Sequence, residues 1–89
     1  MTTNQQRIAE IKKRLVESLE PHLLVITDDS HHHQGHPGAQ KGHGHFTVEI
    51  AAHEFENKSL TTCHRMIYKI LGSLMETDIH ALRIKIICP

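Results

Sequence analysis

Apolar residues recur at helical spacing at the start of the chain. Ile8, Ile11, Leu15 and Leu19 form one stripe, while Lys12, Lys13, Arg14 and Glu17 occupy the opposite side. This pattern predicts a first helix that Asn4 can cap and Pro21 ends. The branched run Leu23-Leu24-Val25-Ile26, closed by Asp28-Asp29-Ser30, reads as a short strand. From His45 to Ile50 the pattern alternates strictly, with Phe46, Val48 and Ile50 on one side and His45, Thr47 and Glu49 on the other. The two strands are consecutive and are expected to pair antiparallel across an unusually long loop, about residues 30–44. Four glycines and a proline there rule out regular structure. Phe55 follows as a core plug, Asn57 as a left-handed turn residue and Ser59 as a helix cap. Leu60, Ile67, Ile70, Leu71 and Leu74 then share one helical face with Cys63 and His64 near its edge, and Gly72 weakens the helix end. Leu82, Ile84 and Ile86 alternate with Arg83 and Lys85 as a third strand. Helix, strand, strand, helix, strand is an α+β order, most economically built as two helices over one face of a three-stranded sheet.

Length changes the picture little: 89 residues make one domain spanning 1–89, with no room for a second core. Only three aromatics are present, so the core must come from Ile, Leu, Val and Met. Ten basic and ten acidic side chains cancel, which argues against a whole-chain basic field for nucleic acid or anionic membrane. The balance holds while histidine is neutral; below about pH 6.5 the ten histidines make the chain cationic. Cys63 and Cys88 are far apart and form no CxxC pair, so a reducing, cytoplasmic setting is expected. The amphipathic beginning reads as neither signal peptide nor membrane span.

Candidate chemistry enters with histidine. His31, His32, His33, His36, His43 and His45 crowd the loop and its exit, His53 follows, and His80 stands just before the third strand in Ile79-His80-Ala81-Leu82. Histidine both ligates metals and titrates near neutral pH, so the distribution points to metal or cluster chemistry. The internal position of the triple histidine speaks against an appended tag. Other motifs carry less. Gly35-His36-Pro37-Gly38 matches a GxxG string but lies between strands and contains a proline. Asp28 and Asp29 are adjacent in extended chain, so their side chains diverge and make a poor acid–base pair. Cys63 and His64 are helical neighbours that do not face each other. No catalytic constellation is evident, and the chain reads as a non-enzyme.

Taken together, Asp28-Asp29-Ser30-His31, Gly35-His36 with Gly38-Ala39, Gly44-His45-Phe46, Phe55, His64-Arg65-Met66 with Tyr68, and Ile79-His80-Ala81-Leu82 resemble the BolA-like proteins, over roughly residues 8–89. The resemblance implies an αββαβ fold of the class II KH-like type. It also implies a monothiol (CGFS) glutaredoxin as partner, with a [2Fe–2S] cluster shared across the interface. The partner's cysteine and glutathione would supply thiolates; this chain would supply His80 and a histidine from the loop between the first strands, His45 or His43. Mixed ligation of that kind raises a cluster's reduction potential above that of all-thiolate clusters. Two positions depart from the family pattern: Cys63 stands where an arginine is usual, removing a charge from an expected binding face, and Asn57 stands where glycine is usual.

The other candidates remain open between roles. His64, Arg65, Tyr68 and Lys69 on the second helix form a partner- or nucleic-acid-binding face, or else His64 packs structurally between helix and sheet. Arg65, Lys69, Arg83 and Lys85 could form a local basic patch. The leading expectation is an accessory protein of iron–sulfur trafficking or iron regulation. The alternatives are a KH-like DNA-binding regulator of stress response or morphology, and a buffer for Zn²⁺ or Ni²⁺ built on the histidine loop. A homodimer in the absence of a partner is compatible with all three.

Overall fold

The computed structural model describes residues 3–29 and 44–87 of the chain. Helix α1 spans Asn4–Leu19 and buries Ile11, Leu15 and Leu19. Its cap is Thr3 rather than Asn4. The Thr3 hydroxyl accepts from the Gln6 amide at 3.1 Å, and the Gln6 side chain accepts from the Thr3 amide at 2.8 Å, a reciprocal capping box. Asn4 is instead the first helical residue, and its Oδ1 accepts from Arg7 Nη1 at 2.8 Å. Glu20, at φ 45°, turns the chain out of the helix before Pro21.

Strand β1 (Leu23–Asp28) pairs antiparallel with β2 (Gly44–Ala51), from Leu23 opposite Ala51 to Asp28 opposite Phe46. The chain then makes a 3-10 turn over His53–Phe55 and passes Asn57 at φ 62°. It enters α2 (Leu60–Leu71), capped by Ser59, whose hydroxyl accepts from the Thr62 amide at 3.1 Å. Both Asn57 and Ser59 do what their side chains predict. Helix α2 stops at Gly72, so Leu74 belongs not to it but to a separate single turn, α3 (Leu74–Thr77). Strand β3 (Ile79–Ile86) lies parallel to β2, giving the order β1-β2-β3. A parallel neighbour needs a crossover, and α2 with α3 provides it.

The expected α+β arrangement is therefore observed: a three-stranded sheet with α1 and α2 on one face. Phe46, Val48 and Ile50 of β2 meet Ile11 and Leu15 of α1 and Ile67 and Leu71 of α2 in a core from which water is excluded. At roughly 25 cal/mol per Å² of apolar surface removed from water, burying each such side chain contributes about 1.5–3 kcal/mol. Polar ties fix the layers laterally. Arg14 Nη1 donates to the Leu71 carbonyl at 2.8 Å, closing the end of α2, and Arg7 Nε meets Asp78 Oδ2 at 3.3 Å just before β3. Among the described residues, no helix covers the other face of the sheet.

Candidate functional site

The Gly44-His45-Phe46 string opens β2, and strand alternation sorts its members. Gly44 and Phe46 share the core side, while His45 takes the open side. Gly44 is required there because a Cβ would run into the Phe46 ring and lie 3.2 Å from Asn4 Oδ1. The strand end is pinned by backbone. The Gly44 amide donates to the Asp78 carbonyl at 3.1 Å, and the Asp29 amide donates to the His45 carbonyl at 2.7 Å. Although it faces the open side, His45 is only 8% exposed. An imidazole so placed cannot swing freely, which suits a ligand more than a solvated surface group.

Beside it, the β2–β3 register slips. Gly44 pairs with Ile79 but His45 pairs with Ala81, leaving His80 as the extra residue of a bulge. The slip explains a parity conflict. Leu82, Ile84 and Ile86 are partly buried against the core at even positions, yet odd-numbered Ile79 is itself 4% exposed. One extra residue is what lets both face inward. The backbone of His80 thus stands next to that of His45 on the adjacent strand, at the end of the sheet where the histidine-rich loop enters.

Below these positions the open face forms a groove of about 680 Å³ whose lining includes Thr27, Asp29, Thr47, Glu49, Arg83 and Lys85. The Thr47 hydroxyl donates to the Asp29 carboxylate across the β1–β2 pair. Arg83 and Lys85 are exposed, each beside its partner in register, Thr47 and Glu49. On α2, Arg65 and Lys69 are exposed, Tyr68 is 41% exposed and His64 is half-buried. The four cations therefore do not form one patch. Arg65 and Lys69 belong to the helical layer, whereas alternation along β3 turns Arg83 and Lys85 to the opposite face of the sheet.

Cys63 also departs from expectation. It is 1% exposed, inside the core, with Sγ 3.9 Å from the Phe55 carbonyl, so its side chain takes no part in the exposed face of α2. Leu60 is on the surface at 62% exposure rather than in the apolar stripe. His43, His31 to His36 and Cys88 lie outside the described residues. Among the described residues, no three His, Cys, Asp or Glu side chains are grouped to hold a metal ion, and no helix is long and apolar enough to cross a membrane. The β3 bulge was missed from sequence, although the signal was present: Ile79 breaks the parity of Leu82, Ile84 and Ile86.

The family model described as "BolA-like protein" matches residues 15–89. The chain belongs to the BolA-like family. It is 38% identical over 84 residues to "Protein BOLA1, chloroplastic" of Arabidopsis thaliana, a match covering 90% of this chain and 52% of that protein. It is 31% identical over 72 residues to "DNA-binding transcriptional regulator BolA" of Escherichia coli, covering 81% and 66%. Among solved structures, the BolA domain of SufE1 from Arabidopsis thaliana superposes with a TM-score of 0.82 at 35% identity, covering 93% of this chain and 92% of that one. This BolA-like chain spans only about half the length of BOLA1. Its family-like strings fall at the places just described: Gly44-His45-Phe46 at the start of β2, His64-Arg65 on α2 and His80 at the β3 bulge.

Proposed function

We propose that this BolA-like chain donates histidine ligands to a [2Fe–2S] cluster held jointly with a monothiol glutaredoxin and glutathione, in iron–sulfur trafficking or iron regulation. The observation that supports this reading is the β2–β3 pairing, in which the backbones of His45 and His80 lie next to each other on adjacent strands at one end of the sheet. The donor chemistry fits: imidazole is a recognised ligand to [2Fe–2S] iron. Cys63 is sealed in the core and cannot contribute, so the thiolates must come from outside the described residues. His45 is held by burial and by its backbone bond from Asp29, while His80 enters on the adjacent strand; His43 is the alternative loop donor. The cluster supplies one-electron redox chemistry and is itself the cargo. The chain acts by binding, not by catalysis.

The test is to mix the full chain, anaerobically and with glutathione, with a cluster-loaded monothiol glutaredoxin and record visible circular dichroism. A new one-to-one spectrum that is lost in His80→Ala and altered in His45→Ala is the expected result. An unchanged spectrum on mixing, or one that survives His80→Ala intact, sinks the proposal. If His43→Ala rather than His45→Ala alters the spectrum, the loop donor is His43.

A second reading, DNA binding, is favoured by the name of the E. coli relative and by the exposed Arg65 and Lys69 on α2. Its weak point is the zero formal net charge. Absence of any salt-dependent affinity for duplex DNA eliminates it.

A further inference from the structure

Two histidines outside the candidate cluster site stand together at the opposite end of the β1–β2 pair. His22 precedes β1 and His53 follows β2, and the antiparallel register brings them side by side: Leu23 pairs with Ala51, and the His22 amide donates to the Ala51 carbonyl at 2.9 Å. Their ring centroids are 5.2 Å apart with the planes tilted by 44°. A zinc-class ion binds imidazole nitrogen at about 2.0–2.1 Å and the ring centre lies roughly 1.1 Å further out, so two imidazoles on one tetrahedral ion have centres about 5 Å apart. The observed spacing meets that requirement.

A second observation bears on the same pair. His53 Nδ1 lies 3.2 Å from Glu56 Oε1. A carboxylate accepting from Nδ1–H fixes the tautomer whose Nε2 carries the lone pair, the usual outer arrangement behind a metal-bound histidine. The backbone under both residues is anchored: His53 opens the 3-10 turn, and its carbonyl accepts from the Glu56 amide at 3.0 Å. Both side chains are exposed, so an ion and its remaining waters can reach them.

We propose that His22 and His53 form a two-imidazole site for a divalent cation of the Zn²⁺, Ni²⁺ or Cu²⁺ type, with Glu56 orienting His53. Imidazole suits these ions, and two protein ligands leave coordination positions for water or for a donor from another molecule. The six residues of β1 separate this site from the His45 end by roughly 20 Å, so it is independent of any cluster bound there.

The experiment is a Zn²⁺ titration of the full chain in which His31, His32, His33, His36 and His43 are replaced by asparagine, with the imidazole resonances followed by long-range ¹H–¹⁵N correlation. The signals of His22 and His53 should move together and saturate at one equivalent. His22→Gln and His53→Gln should each weaken that response at least tenfold, and Glu56→Gln roughly tenfold. All three side chains are exposed, so the metal-free spectra of the variants should remain those of the folded chain. The proposal is overturned if His53 responds equally in His22→Gln, which would make it a lone imidazole, or if both rings stay still while His45, His64 or His80 move.

Discussion

Gly44 shows how much one residue without a side chain can determine. It shares a face with Phe46, and the Phe46 ring lies where its Cβ would be. Gly44→Ala must push that ring out of its core position or shift the strand, at about 1–3 kcal/mol. Urea unfolding should show a lower midpoint with an unchanged slope. Since His45 sits between the two residues, the same substitution should also weaken the cluster sharing proposed above, if that proposal holds, although Gly44 donates no ligand. The string Gly44-His45-Phe46 was recognisable as a motif, but the reason for its glycine was not. That reason is a ring orientation, which no residue pattern encodes. Cys63 was only partly legible: its spacing to Ile67 and Leu71 put it near the apolar stripe, and the packing of α2 moves it from the edge into the core, 1% exposed.

At the level of elements, the local signals were those the sequence carried best. Asn57 at φ 62° and Ser59 as cap both follow from side-chain chemistry acting within a few residues. Ser59→Ala should cost about 1 kcal/mol in thermal or chemical unfolding, by orphaning the Thr62 amide. Asn57→Ala should cost a comparable amount, about 1 kcal/mol, while Asn57→Gly should be tolerated, because only the methyl side chain meets the left-handed penalty. Two features escaped. Capping moved from Asn4 to Thr3 because Gln6 lies three residues beyond Thr3 and completes a reciprocal pair, which outweighs a lone asparagine. The bulge at His80 escapes the pattern because it lies ahead of Leu82, and the alternation is regular only from there onward. That omission matters most for the site, since the bulge is where His80 lies, next to His45 on the adjacent strand.

Across the whole molecule, the sheet separates charges that look like one group in the sequence. Arg65 and Lys69 lie in the helical layer, and Arg83 and Lys85 line the open groove. If duplex DNA is bound through α2, Arg65→Glu with Lys69→Glu should remove the salt-dependent affinity, and Arg83→Glu with Lys85→Glu should leave most of it. Equal losses from both pairs would mean diffuse electrostatic attraction rather than a reading face. The same layering gives the sheet two unlike borders. β3 presents Arg83 and Lys85, charges that discourage another strand from adding to it. β1 has β2 as its one strand neighbour among the described residues, and it runs Leu23-Leu24-Val25-Ile26 with Leu23 and Val25 each 42% exposed. Charge returns only at Asp28 and Asp29. Any self-association into fibrils or amorphous aggregate should start along β1, where backbone donors and acceptors meet an uncharged apolar segment. A single Val25→Lys on the open face should delay aggregation of a concentrated solution, measured by light scattering, while leaving the core as it is.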